Sequence, residues 1–294
     1  MCQSIGQVAI CSMKHNNLQH IVGELMTCVE EAKQYEKEIL QKYIAKCEVF
    51  YGCCIIIIYI TASGVLLGPI FLETPFPFEV EYPFSINYTL IYVIMYFHQF
   101  IAILQCTAHV CLSGFGALLL WFLAVRFECL AVDFQKCSDV NMMTDCIKKQ
   151  LRLRRYAENI SNCFRFIIAY AIIVSTVSII ICGLLLTTNL VPPVVKLQFI
   201  LVSGTVLIEV YMYAWPAEYV MDTSINVSRC VYNLLWYDHT LALQKYLLNV
   251  LAFQKPVTIS VTLLLPELSL RYFCAYLTNA FSIFTTVRAV VVED

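Results

Sequence analysis

The chain has 294 residues, of which 60% are hydrophobic and only 14% are charged. Soluble domains carry roughly a quarter charged residues, so this composition leaves too few polar side chains to cover a surface in water. The formal net charge of −2 gives no basis for binding nucleic acid. The composition therefore predicts an integral membrane protein, with room for about five to seven helical spans of ~20 residues each.

Stretches without Asp, Glu, Lys or Arg locate the membrane segments, because each such charge at the centre of a span costs about 2.5–3.5 kcal/mol. Runs of this length must be helices, since only a helix satisfies its own backbone hydrogen bonds in lipid. We therefore expect an all-α, polytopic transmembrane bundle over 49–294, preceded by a largely helical cytoplasmic segment over 1–48. The five predicted spans are 49–72, 88–125, 166–188, 197–217 and 268–290.

The second apolar run, from Tyr82 to Val125, has about twice the length that a bilayer requires. It is either a hairpin that turns near Ser113 to Gly116 or one long helix. Lys and Arg number five, zero, eight, one and three in the successive segments before and between the spans. Because positive charge marks cytoplasmic segments, this alternation predicts one long helix, a cytoplasmic N-terminus and an extracellular C-terminus.

Sequence motifs of enzymes are missing from the chain. It contains no His-Glu-x-x-His, Cys-x-x-Cys, Gly-x-Ser-x-Gly or phosphate-binding glycine loop. All fifteen cysteines lie in predicted cytoplasmic or membrane segments, so a framework of disulfides is not expected. The sequence therefore predicts neither catalysis, nor a metal, nor a cofactor.

Three ionisable residues within the predicted spans are candidates for function. His98 and His109 lie eleven residues apart on one face of the long helix, which favours a cavity or helix interface over a metal pair. Glu209 lies late in the fourth span. Its carboxylate either faces the bundle or snorkels to pair with a loop cation, or it has a functional role, and the sequence leaves these alternatives open.

The last span is too polar to face lipid on all sides. Pro266 precedes it and predicts a short separate helix over 257–265 at the cytoplasmic edge. Within the span, Asn279, Ser282, Thr286 and Val290 recur at spacings of three and four residues, which places them on one helical face. Such a stripe either joins helices through hydrogen bonds or forms the wall of an aqueous pore.

The sequence resembles the insect odorant receptors from about Asn17 to Arg288. The motifs that carry the resemblance are PFEVEYP (77–83), Lys255-Pro256, Leu268-Ser269-Leu270 followed by Tyr272-Phe273, and AFSIFT (280–285). The family has seven helices with a cytoplasmic N-terminus and an extracellular C-terminus. The five spans would correspond to its third to seventh helices, so the resemblance implies an N-terminally partial chain.

The resemblance implies an odorant receptor subunit that forms an odorant-gated cation channel. Its partners would be the odorant co-receptor, in a heterotetramer, the lipid bilayer and a small hydrophobic odorant. It would lie in the plasma membrane of olfactory sensory neuron dendrites. The nearest alternatives are a gustatory receptor, whose typical Thr-Tyr-x5-Gln-Phe ending is missing, and a non-functional truncated receptor fragment.

Residues of the ligand pocket and of the pore follow from the same resemblance. The implied ligand-binding residues are Tyr59, Ser63, Tyr92, Met95, Tyr96, Gln99, Val202, Thr205 and Val206. The implied pore-lining residues are Asn279, Ser282, Thr286, Ala289 and Val290, all on the last helix. Tyrosine and methionine suit small volatile ligands, because they offer large apolar contact and an adaptable shape.

Overall fold

The computed structural model describes residues 12, 14–72, 76–77, 89–137, 139–187, 193–233, 241–252, 255–260 and 267–292. These residues form α-helices and connecting segments, and no strand occurs among them. The helices are α1 (His15–Glu30), α2 (Gln34–Leu72), α3 (Thr89–Gln135), α4 (Val140–Thr187), α5 (Pro193–Tyr232), α6 (Leu241–Ala252) and α7 (Leu270–Val292). The prediction of an all-α helical bundle is confirmed.

The long apolar run forms one helix and not a hairpin. α3 has 47 residues and continues through Gly114 and Gly116 to Gln135, beyond the predicted end of the span at 125. α4 begins at Val140, so the connection at 126–165 is almost entirely helical as well. The reason is packing, because the C-terminal end of α3 buries apolar side chains at helical spacing, including Phe127 and Phe134.

Four helices of the described part are long and apolar enough to cross a membrane. They occupy Gln34–Ile70, Thr89–Gln135, Val140–Thr187 and Phe199–Tyr232. The 23-residue α7 is not among these four. The membrane span at 268–290 therefore stays a prediction.

The N-terminal end of α2 is held against α3 by tyrosine–carboxylate hydrogen bonds. The Tyr35 hydroxyl donates to Asp133 Oδ1 over 2.6 Å, and the Tyr43 hydroxyl donates to Glu128. Lys149 of α4 binds the other oxygen of Asp133 at 2.7 Å. The Asp133 carboxylate therefore joins α2, α3 and α4.

The segment before α7 differs from its prediction. Residues 257–260 are not helical, so the short helix predicted over 257–265 is wrong there, while 261–265 lie outside the described residues. The backbone of this segment bonds to other parts of the chain instead: Val257 N–H donates to Ser224 Oγ at 3.0 Å, and Leu268 N–H donates to the Ile259 carbonyl at 3.0 Å. Pro256 and the following β-branched residues disfavour a helix, and these tertiary bonds replace its ladder.

α3, α4 and α5 approach one another closely at Gly116. A Cβ atom there would lie 2.8 Å from the ring of Phe164 on α4 and 3.0 Å from the ring of Tyr213 on α5. Both rings are buried, so neither can move into solvent. Gly116 therefore sets how near these three helices lie.

We expect Gly116→Val to destabilise the folded chain by about 1–3 kcal/mol, the usual cost of overpacking a core. The measurement is the thermal midpoint of the detergent-solubilised protein, followed by size-exclusion chromatography with fluorescence detection. Gly64→Val on α2 is the matched control, because a Cβ at Gly64 would meet no atom within 4 Å. Equal losses for the two variants would contradict close packing at Gly116.

Candidate functional site

A buried polar cluster joins α3 and α5 within the membrane-spanning region. His109 Nε2 lies 2.6 Å from Glu209 Oε1, and the Ser113 hydroxyl lies 3.4 Å from the same oxygen. Only 9% of His109 and 8% of Glu209 are exposed. Glu209 therefore faces the helix bundle, one of the alternatives that the sequence leaves open. Its partner is His109 of α3 and not a cation of a loop.

The two histidines of α3 do not act as a pair. His98 is exposed, whereas His109 is buried against Glu209. In the described ranges, no three His, Cys, Asp or Glu side chains are grouped so that they could hold a metal ion. The thirteen cysteines in those ranges are free thiols.

An aromatic cluster lies on the C-terminal side of Glu209 along α5. Its members are Phe50 and Tyr51 of α2, Trp121 of α3, and Tyr211, Trp215 and Tyr219 of α5. The rings of Trp121 and Trp215 meet edge to face, with centroids 5.1 Å apart. The Lys46 ammonium lies 4.1 Å from the centroid of the Tyr219 ring. The sequence analysis missed this cluster, although the i, i+4 spacing of Tyr211, Trp215 and Tyr219 is a signal for it.

The first turn of α7 is anchored to α5. Ser269 caps α7, since its hydroxyl accepts the N–H of Tyr272 at 3.2 Å. The Glu218 carboxylate of α5 accepts the N–H of Leu270 at 3.1 Å. One turn further, the Phe273 ring lies 5.6 Å from that of Tyr211. The start of α7 is therefore held to α5 by one hydrogen bond and one ring contact.

The implied pore residues lie on the exposed face of α7. Asn279, Ser282, Thr286 and Ala289 are all exposed, and the side chain of Val290 lies outside the described part. The opposite face packs against α4: the Tyr276 hydroxyl donates to Ser175 Oγ at 2.9 Å, and Phe284 covers Gly183, where a Cβ would lie 2.8 Å from its ring. The helix therefore packs Tyr276 and Phe284 against its own chain and turns its polar stripe outward, together with the exposed Phe281 and Ile283.

Two of the implied ligand-binding residues line an open aromatic groove on α3. Tyr92 and Tyr96 form it together with Val93, Phe97 and Phe100. The rings of Tyr92 and Tyr96 have centroids 6.4 Å apart. The Tyr96 hydroxyl donates to the carbonyl of Leu66 on α2 at 3.3 Å, which fixes its ring beside that helix.

The other implied ligand-binding residues do not line this groove. On α2, Tyr59 and Ser63 are exposed, and the Tyr59 hydroxyl lies 3.8 Å from Cys111 Sγ. On α3, Met95 is half-buried and Gln99 is buried. On α5, the three implied residues range from half-buried to exposed: Val202, Thr205 and Val206. The structure thus brings Tyr92 and Tyr96 together but does not join α2, α3 and α5 residues around that groove.

A separate polar cavity of about 270 Å³ lies among α1, the N-terminal end of α2, the C-terminal end of α3 and the N-terminal part of α4. Its charged walls are partly paired, with Arg126 at 3.5 Å from Glu36 and Lys149 at 2.7 Å from Asp133. Such a cavity does not suit an apolar ligand, because a buried charge that loses its partner is costly.

Comparison with known proteins agrees with this helical arrangement. The sequence model of a family described as 7tm Odorant receptor matches residues 8–281. Odorant receptor 67a of Drosophila melanogaster is 21% identical to this chain. The alignment is 316 residues long and covers 97% of this chain and 76% of that protein.

Two solved structures of the insect olfactory receptor OR5 from Machilis hrabei have a similar fold. The structure in complex with eugenol matches with a TM-score of 0.80 at 13% identity, over 99% of this chain and 79% of that chain. A second OR5 structure matches with a TM-score of 0.81 at 12% identity, over 98% and 78%. The structures support the fold, and the family match covers most of the sequence. The chain therefore belongs to the insect odorant receptor family.

Proposed function

We propose that this odorant receptor is the ligand-recognising subunit of an odorant-gated cation channel. It would assemble with the odorant co-receptor as a heterotetramer in the plasma membrane of olfactory sensory neuron dendrites. Family membership makes the chain a multi-pass membrane receptor and not an enzyme. The observation that carries the channel proposal is the exposed polar face of α7.

The outward side of α7 combines this polar stripe with the exposed Phe281 and Ile283. The hydroxyls of Ser282 and Thr286 donate to carbonyls of α7 itself, each at 2.9 Å, and so need no partner from another helix. The Asn279 amide is exposed on the same side, and a bare amide in hydrocarbon costs several kcal/mol. Four such helices around a common axis would enclose a polar, hydroxyl-lined path for cations.

The orientation that we propose places the N-terminus in the cytoplasm and the C-terminus outside. The distribution of positive charge supports this orientation. The C-terminal end of α3 and the N-terminal half of α4 hold most of the basic residues of the segment 126–165, and such basic segments lie on the cytoplasmic side. The exposed aliphatic side chains of α2, such as Ile56 and Ile60, would then face the bilayer.

The ligand that we propose is a small hydrophobic odorant, with the Tyr92–Tyr96 groove as part of its site. Aromatic rings provide most of the lining, and the tyrosine hydroxyls add polar tips. Eugenol is a suitable first probe, because it is the ligand named for one of the OR5 structures that this chain resembles. The family match to odorant receptors gives no support to the gustatory alternative.

The test is thiol modification of α7 in the assembled channel. Ser282→Cys, made in a Cys274→Ser background because Cys274 is itself exposed, is co-expressed with the co-receptor. We expect a cationic methanethiosulfonate reagent to remove most of the odorant-evoked cation current, because it would add a positive charge to the pore wall.

Ala280→Cys in the same background is the matched control, since Ala280 is buried on the opposite face of α7. Its current should persist under the reagent. If eugenol and a broad odorant panel evoke no current from wild type with co-receptor, the channel proposal fails and the truncated-fragment alternative gains support. If current flows but Ser282→Cys is insensitive, α7 does not line the pore.

A further inference from the structure

Pro216 interrupts the hydrogen-bond ladder of α5. A proline has no N–H, so the carbonyl of Met212, four residues earlier, loses its helical partner. Met212 is only 1% exposed, and therefore water does not readily replace that partner. A buried carbonyl in this position needs a donor from elsewhere in the protein.

The donor is Tyr51 of α2. Its hydroxyl donates to the Met212 carbonyl over 2.9 Å. The same oxygen accepts the indole N–H of Trp121 on α3 at 3.2 Å. Three helices are thus linked through one hydroxyl, at the point where α5 has lost its own bond.

The Pro216 site lies directly beside the anchor of α7. Tyr211 precedes the proline and packs against Phe273, and Glu218 follows it and binds the N–H of Leu270. On the other side, one to two turns earlier in α5, lies the Glu209–His109 pair. A change of helix direction at Pro216 would therefore alter the position of the first turn of α7 relative to the rest of α5.

We propose that Tyr51 is a positioning residue for gating, and that its bond to the Met212 carbonyl fixes α5 at the Pro216 hinge and thereby the start of α7. The inference rests on the proposed function, since it takes α7 as the helix that lines the conducting path. Breaking the bond frees the hinge and shifts the balance between closed and open channels. The effect of one hydrogen bond is about a two- to tenfold change in that balance.

A double-mutant cycle tests this link. Tyr51→Phe deletes only the hydroxyl, and Pro216→Ala restores an N–H that can bind the Met212 carbonyl within α5. Each variant and their combination are expressed with the co-receptor, and the cation current without added odorant is divided by surface expression of the tagged chain. The current of the co-receptor alone is subtracted.

We expect Tyr51→Phe to change the odorant-free current about two- to tenfold in the wild-type background and to have no further effect in Pro216→Ala. A second helix-internal proline, Pro69 of α2, supplies the control. The effect of Tyr51→Phe should persist in full in a Pro69→Ala background. No effect in wild type, or an equal effect in wild type and Pro216→Ala, overturns the inference.

Hydrogen exchange separates failure of this inference from failure of the channel proposal. In lipid nanodiscs, Tyr51→Phe should speed amide exchange in peptides covering 212–220, and Pro216→Ala should cancel that increase. If wild type conducts but the cycle shows no coupling, the gating role of Tyr51 fails alone. If wild type carries no current, the channel proposal fails, and unchanged exchange in Tyr51→Phe then overturns the Tyr51–Met212 link as well.

Discussion

His109→Leu is expected to destabilise the folded chain by about 2–3 kcal/mol, because it leaves the buried Glu209 carboxyl group without its imidazole partner. Among the described residues, the Ser113 hydroxyl, at 3.4 Å, would remain beside Glu209 as a weaker hydrogen-bond partner. With 8% of Glu209 exposed, water cannot readily replace the lost imidazole. The expected result is a strongly lowered thermal midpoint in detergent and little protein at the cell surface.

Two further variants separate hydrogen bonding from packing at this pair. Glu209→Gln keeps a side-chain oxygen that can accept a hydrogen bond from His109, so we expect a much smaller loss of stability. The double variant His109→Leu/Glu209→Leu removes both polar groups and should recover most of the stability that His109→Leu loses. If the double variant were less stable than His109→Leu, the two side chains would do more than offset the cost of burying each other. The polar cluster would then itself stabilise the fold.

Much of the bundle can be predicted from the sequence, because lipid imposes simple rules on it. Charge-free runs mark helices, and the alternation of Lys and Arg correctly favours one long helix over a hairpin at Gly114 and Gly116. The same reasoning finds His109 and Glu209 as unusual residues. It cannot pair them, since the contact depends on the rotation and register of α3 against α5, which only packing determines.

The irregular segment at 257–260 and the candidate sites are harder to predict for the same reason. At 257–260 the backbone bonds to distant residues such as Ser224 in place of a helical ladder, and no local pattern reveals those partners. The polar stripe of α7 can be predicted from the sequence, because helical spacing alone puts Asn279, Ser282 and Thr286 on one face. The Tyr51–Met212 bond joins residues 161 positions apart, and its only local sign is the proline at 216.

The second large effect is expected at Trp121, which lies at the centre of the aromatic cluster. Trp121→Ala should destabilise the chain by about 3–5 kcal/mol, because removing a buried indole leaves a cavity that the surrounding helices only partly fill. Trp121 is 4% exposed and contacts the rings of Tyr43, Trp215 and Tyr219. The measurement is the thermal midpoint of the purified chain in detergent.

Trp121→Phe distinguishes the volume of the indole from its N–H. Phenylalanine retains most of the packing but cannot donate to Tyr51, so we expect a loss of about 1 kcal/mol, the net contribution of one hydrogen bond. Leu118→Ala, on an exposed position of the same helix, should change the midpoint little. If Trp121→Ala were no more destabilising than Leu118→Ala, the cluster would not hold α2, α3 and α5 together, and its bond to Tyr51 could not position the hinge at Pro216.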